Sequence, residues 1–260
     1  MLVHLPEILR RADTSEALPR LGGMARPDGV VIVSERFWAF ARRDGELLEG
    51  KMPSPPASLA RIPLARGLAR LAMSVAPLFR RSGVAKKGER RILLLAIFAP
   101  FAFVFLPSAF AFIGWAAVTV GLVLWIFRGR TLNLHGAEHR AIAAVEERSL
   151  ESTWAGTAKP SRFSLRCGTN FAALVIPVTV VAERLWPFQA ALWTPVVVTV
   201  LSLALTMELW RAVQESSRRG AHLLLLPGLA LQRATTREPH VDETRVALRA
   251  VASVLRRELD

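Results

Sequence analysis

Residues 92–127 read ILLLAIFAPFAFVFLPSAFAFIGWAAVTVGLVLWIF, 36 consecutive positions without an Asp, Glu, Lys or Arg. A helix crosses the hydrocarbon core with about 20 apolar residues, in a range of about 17–25. The stretch is too long for one span and suits two short ones, Ile92–Leu106 and Ala109–Phe127, with the turn at Pro107-Ser108. A re-entrant first helix would leave the same pattern. Two further uncharged runs, Gly168–Ala182 and Leu185–Met207, flank Glu183-Arg184 and read as a second pair, beginning at Cys167. The sequence therefore predicts a mainly α-helical, polytopic membrane protein with about four transmembrane helices in two hairpins. The first member of each pair is short, and Arg90, Arg91 and Arg166 stand where they can snorkel to headgroups. The opening MLVHLPEILRRADTSE has no apolar core of the kind a cleaved signal peptide needs.

Charge sets the orientation. The chain has 260 residues, 52% of them hydrophobic, and a formal net charge of +13. Segment 1–91 carries 17 Lys/Arg against 9 Asp/Glu, 128–166 carries 7 against 4, and 208–260 carries 9 against 7. The turns on the other side hold one Glu and one Arg between them. Positive charge collects on the cytoplasmic side, so the three polar segments and both termini are expected there. The hairpins 92–127 and 167–207 alternate with them. The expected partners are the lipid bilayer, its anionic headgroups and a protein on the cytoplasmic face. No recognisable nucleic-acid module accompanies the charge, so no nucleic-acid partner is expected. The lone cysteine, Cys167, excludes an intramolecular disulfide and fits a reducing compartment.

Within the N-terminal segment, Val30–Val33 and Phe37–Ala41 are strand-like runs and Arg43-Asp44-Gly45 supplies a turn. They predict a small β meander over 22–49 that serves as a packing platform for the cytoplasmic helices. After the break at PSPP (53–56), Leu64, Leu68, Leu71, Val75 and Leu78 recur at helical spacing opposite Arg66 and Arg70. They mark an amphipathic interfacial helix over 58–80. Ser82–Arg91 is a basic linker facing anionic headgroups. Beyond the last span, Glu208–Arg219 continues as a polar helix. AHLLLLPG (221–228) is too short to cross and is ended by Pro227-Gly228. A surface-docked helix with Val246, Ala250, Val251, Val254 and Leu255 on its apolar face closes the chain.

The chemistry sits in NLHGAEHRAIAAVE, residues 133–146. As a helix turning about 100° per residue, this stretch gathers His135, His139, Ile142 and Glu146 into a sector of about 60°, with Glu138 at its flank. Ala137, Ala141 and Ala144 fall opposite. Histidines at i and i+4 can aim ring nitrogens at one ion, and an adjacent carboxylate can move the proton of a bound water. The H-x-x-E-H order is that of inverted zinc peptidase motifs. A third ligand must come from elsewhere, since Glu146 lies about 10.5 Å beyond His139 along the helix. Cys167, Glu208, His222 and His240 are the candidates, Cys167 first because it opens the next span at the same surface. Two readings stay open: a metal site, and a polar helix face with satisfied hydrogen bonds. Glu208 likewise reads as a helix-end ion pair or as a carboxylate turned toward the histidines.

HGAEH (135–139), SRFSLRCGTNF (161–171), MELWR (207–211) and PGLALQRATTREP (227–239), in this order, resemble the YqhQ-like family. These are bacterial multi-pass membrane proteins of unknown function, sometimes described as predicted metal-dependent enzymes. The resemblance runs from about Gly22 to Leu255 and implies an inner-membrane location. It strengthens the topology and draws attention to His135, Glu138, His139 and Cys167 without supplying a reaction. A divalent metal ion held by His135, His139 and Cys167, with Glu138 as the catalytic carboxylate, is the reading of the residues themselves. Glu146, Glu208 and Asp28 are accessory candidates. The family's N-terminal motif departs here: Met24 stands for a Gln, Asp28 for a Glu and Val33 for an Arg. A glutamate usual near Ala72-Met73 is also missing. Two functions compete. One is a metal-dependent enzyme of the hydrolase type at the cytoplasmic membrane surface. The other is a non-catalytic scaffold or assembly factor that binds anionic lipid or a protein partner. A coupled transporter fits poorly, because the spans hold almost no ionisable residues.

Overall fold

The computed structural model of the chain describes residues 5–54, 56–80, 83–189, 191–216 and 220–260. Ser82 of the basic linker, Pro55 of the PSPP break, and residues 217–219 at the end of the polar helix fall outside them. The fold is mainly helical, with one four-stranded antiparallel sheet near the N-terminus. Two compact units interleave along the chain, one gathering Met1–Ser54, Phe127–Thr169 and Leu229–Asp260, the other Pro55–Ile126 and Asn170–Gly228.

In the first unit, the expected meander has four strands: β1 (Gly22–Arg26), β2 (Gly29–Val33), β3 (Phe37–Arg42) and β4 (Leu47–Lys51), paired in sequence order. Val30 and Ile32 of β2 pair with Ala41 and Ala39 of β3, and all four face one core. Period-2 alternation puts them on the same side of the sheet. Two helices cover that side, α6 (Thr131–Glu146) against β1 and β2 and α11 (Val241–Leu259) against β2, β3 and α6. Alanines meet at the contact: Ala137, Ala141 and Ala144 on α6, Ala247 and Ala250 on α11, Ala39 and Ala41 on β3, all fully buried. Small side chains let backbones approach closely there, and Leu134, Leu248 and Leu255 help fill the rest of the core. The closing helix is thus a core helix rather than a surface-docked one. The short helices α1 (Leu5–Asp13) and α7 (Leu150–Ala155) complete the unit. Leu5 and Leu9 enter the same core.

In the second unit, the predicted amphipathic helix breaks into α2 (Ala57–Arg61) and α3 (Ala65–Phe79), because Pro63 interrupts it and Leu64 takes a φ of 68°. α4 (Lys87–Ala102) and α5 (Ser108–Ile126) flank Pro107 as expected. The second pair differs from expectation. α8 (Gly168–Arg184) is followed by non-helical residues at 185–189 and 191–193, and α9 begins at Thr194 and runs to Glu215. Pro187 and a Pro195 accommodated in the first turn of α9 place that start. Trp186 packs edge-on against Phe188 and Trp193 within the loop. Pro227 also acts otherwise than expected: it lies in the first turn of α10 (Leu226–Thr235) instead of ending a segment. Among the described residues, two helices are long and apolar enough to cross a membrane, Ala109–Ile126 and Thr194–Glu215.

Candidate metal centre

All parts of this site belong to the first unit. On α6, His135 and His139 stand one turn apart, and their rings meet edge to face with centroids 4.5 Å apart. Cys167 immediately precedes α8. Its Sγ lies 3.2 Å from His135 Nε2, and one donor atom from each of the three residues falls within 4.8 Å of the others. The cluster could hold a metal ion.

Backbone carbonyls aim both rings. His135 Nδ1 meets the Thr235 carbonyl at 2.8 Å and His139 Nδ1 meets the Arg162 carbonyl at 2.7 Å. A carbonyl only accepts, so each Nδ1 carries the proton and each neutral ring presents an Nε2 lone pair. Ligating histidines usually donate their other N–H in this way. The carbonyls lie on two segments stitched to each other. Buried Gln232 accepts the Ser164 N–H at 2.9 Å and donates to the Ser164 carbonyl at 2.7 Å. Arg162 reaches the Thr236 carbonyl at 2.9 Å. Buried Arg140 of α6 donates to the Pro160 and Pro239 carbonyls and to Glu238. Gly136 lets the second segment lie directly on α6, since a Cβ there would sit 2.1 Å from the Arg237 carbonyl oxygen.

Burial sets the protonation states. It lowers the pKa of His139 to about 4, helped by His135 and opposed by the Arg162 carbonyl. Burial also lowers His135, against the pull of Thr235. Both rings are neutral at physiological pH, as ligands must be. The Cys167 thiol is pushed up to about 11 by burial and by the Glu138 carboxyl, against hydrogen bonds from Thr169. It can give its proton to His135 Nε2 while its sulfur accepts from the Thr169 N–H and hydroxyl at 3.4 and 3.2 Å. His139 Nε2, by contrast, is buried without a hydrogen-bond partner. An orphaned acceptor facing a thiol and a second imidazole fits a soft or borderline divalent cation.

Glu138 is 5% exposed. Burial raises its pKa to about 8, and a hydrogen bond from the Ala25 backbone opposes the rise. β1 is an edge strand, so its outward amides need partners beyond the sheet, and Glu138 supplies one. Gly23 makes room: a Cβ there would come within 2.6 Å of Glu138 Cγ and Oε1. The obstruction is the far end of a flexible side chain rather than backbone. Gly23→Ala should therefore shift melting by only a few degrees and keep the ion, yet displace the carboxyl and lower turnover about as far as Glu138→Gln does. Thermal melting, metal content and turnover measured on one preparation check this. Sequence reasoning assigned Gly23 no role, although the Gly22-Gly23 pair was its visible signal.

The other candidates lie elsewhere. Asp28, at the β1–β2 turn, pairs with Arg26 and Arg42. Glu146 pairs with Arg166 at 2.6 Å. The backbone N–H of His240 donates to Glu243 Oε2 at the start of α11. Glu208 belongs to the second unit, where it binds Arg66 and accepts the Leu64 N–H ahead of α3. Of its two readings this is the ion pair, made with Arg66 of α3 and within α9 rather than at its end. His222 lies in a short 3-10 turn of that unit.

The family model described as "Protein of unknown function (DUF1385)" matches residues 112–257, a window that holds the three donors and Glu138 but not Gly23. "Uncharacterized protein YqhQ" of Bacillus subtilis (strain 168) is 31% identical over 134 residues, which cover 50% of this chain and 42% of that protein. The aligned stretch thus spans less than half of the relative's length. No solved structure matches the chain significantly.

Proposed function

The chain belongs to the DUF1385 family of proteins of unknown function, and from that premise we propose that it is a membrane-anchored, metal-dependent enzyme of the hydrolase class. One observation carries the reading: three donors converge within 4.8 Å while backbone carbonyls fix both rings and His139 Nε2 has no other partner. Three protein donors suit a catalytic site, which keeps a coordination position open, better than a closed structural one. His135 Nε2, His139 Nε2 and Cys167 Sγ would hold the ion. A bound ion of the zinc class supplies Lewis acidity and lowers the pKa of water. Glu138 stores and moves the proton. Its carboxyl, held near neutrality by burial, is poised to take a proton at one step and return it at the next. The Ala25 N–H and the gap at Gly23 hold it in place.

The membrane setting is proposed as two hairpins, α4 with α5 and α8 with α9, in a bacterial cytoplasmic membrane. The basic segments and both termini lie on the cytoplasmic side, against anionic headgroups. Phe112, Ile113 and Leu124 of α5 are 75%, 61% and 69% exposed, an apolar surface that water disfavours and lipid accepts. α4 and α8 have 16 and 17 residues, short for a span, with Arg90, Arg91 and Arg184 placed to reach the headgroups.

Cobalt(II) added to the metal-free protein tests the site. The reading predicts a thiolate charge-transfer band that Cys167→Ser abolishes and Glu138→Gln retains. Hydrolytic turnover in Glu138→Gln should fall by about 10²–10⁴. A scaffold would give no band.

A further inference from the structure

The start of α11 and the β3–β4 turn frame a groove of about 600 Å³ that shares no residue with the metal cluster. Four guanidinium groups line it, those of Arg43, Arg130, Arg245 and Arg249, with Trp154 beside them. Their charges are unevenly matched. Arg130 bonds Glu243 at 2.5 Å, and the same carboxylate also takes the His240 N–H. Asp44 and Glu46 at the β3–β4 turn, and Asp28 at the β1–β2 turn, all pair with Arg42. Asp242 stands at the limit of an ion pair, 4.0 Å from Arg245, with its side chain 95% exposed. Among the described residues, no carboxylate forms an ion pair with Arg43 or Arg249.

Arg245 and Arg249 are nevertheless held in place. They lie four residues apart on α11 and so share one face. Arg245 donates to the Trp154 carbonyl at 3.2 Å and lies 5.6 Å from that ring's centroid. Arg249 donates to the Arg42 carbonyl. Neutral carbonyls orient a guanidinium without cancelling its charge. Burial disfavours the charged form of Arg249, with Asp44 offsetting this in part. Two oriented, under-neutralised forks with a third cation opposite match a multivalent oxyanion, and arginine binds phosphate bidentately. The volume exceeds what a single phosphate fills.

We propose that this groove binds a phosphate-bearing anion between the Arg245–Arg249 pair and Arg43. The ligand is a soluble phosphorylated molecule or the phosphate of a lipid headgroup. The second source is within reach because Arg130 follows the last residue of α5, Ile126, by four positions.

Pyrophosphate titrated calorimetrically into the full chain in dodecyl maltoside at low salt tests the proposal. One saturable site is expected. Arg245→Gln/Arg249→Gln should weaken it about a hundredfold, about tenfold for each charge-assisted contact. Arg20→Gln/Arg233→Gln, which removes the same net charge outside the groove, should change affinity less than about threefold. Arg245→Lys/Arg249→Lys keeps the charge and guards against misfolding, and it should lose about tenfold because the forks are gone. In nanodiscs, weaker pyrophosphate binding with phosphatidylglycerol than with phosphatidylcholine alone, in wild type but not in the Gln pair, would identify the headgroup as occupant. Equal binding in both discs would identify a soluble ligand. The proposal is overturned if wild type shows no saturable binding, or if the groove variants lose no more than the control pair.

Discussion

At about pH 9, metal-free Glu138→Gln should melt well above the metal-free wild type, and near pH 4.5 the two should nearly coincide. The folded carboxyl titrates at about 8 and its unfolded reference is 4.5. Between these values the unfolded chain loses its proton first, so wild-type stability falls as pH rises through that window and levels off above it. A shift of that size corresponds to roughly 5 kcal/mol, as an order of magnitude. For a chain of this length that is on the order of 10 °C in melting temperature. Glutamine keeps an acceptor for the Ala25 N–H and has no charge to desolvate, so its profile should be flat through the same window. A stability cost at a catalytic carboxyl is the usual trade for a poised proton carrier. Parallel profiles for the two proteins would mean that Glu138 is not desolvated as described.

Metal affinity should rise steeply with pH, and the rise should depend on Cys167. In the metal-free protein the thiol sits at about 11, so an ion that binds its sulfur near neutral pH must release that proton. Affinity then gains about tenfold per pH unit from this group between about pH 7 and 8.5. His139, lowered to about 4, adds nothing to the slope there, nor does His135, which is also lowered. Cys167→Ser should reduce the slope by one proton per ion and weaken binding about a hundredfold or more at the upper end. Titration in metal buffers, wild type beside variant, reads both numbers. Equal slopes would remove Cys167 from the ligand set.

Hydropathy and spacing made part of this legible in advance. The uncharged run 92–127 and the i, i+4 histidines carry their meaning in single residues and short periods. The helix start at Thr194 was hidden because Trp186–Trp193 carry no charge, and the absence of charge alone does not separate a loop from a helix. The closing helix looked surface-docked because one apolar stripe was visible, whereas Ala247, Leu248 and Ala252 beside that stripe are buried as well. The carbonyls of Arg162 and Thr235, which orient the two rings, have no side-chain signature at all. Only the fold brings residues 162 and 235 to the same helix. The place of Cys167 at the start of the next span suggested a ligand, but the tautomers that leave both histidine Nε2 atoms free to join it are set by backbone atoms.

The most direct measurement is metal content by mass spectrometry on detergent-purified protein prepared without chelators and reconstituted with zinc, manganese and iron. Wild type would be compared with His139→Ala and Cys167→Ser. The proposed centre predicts close to one ion per chain in the wild type and a near-empty site in both variants. Equal metal content in all three, or none in the wild type after reconstitution, would contradict it and leave the cluster as hydrogen-bonded packing on a membrane scaffold.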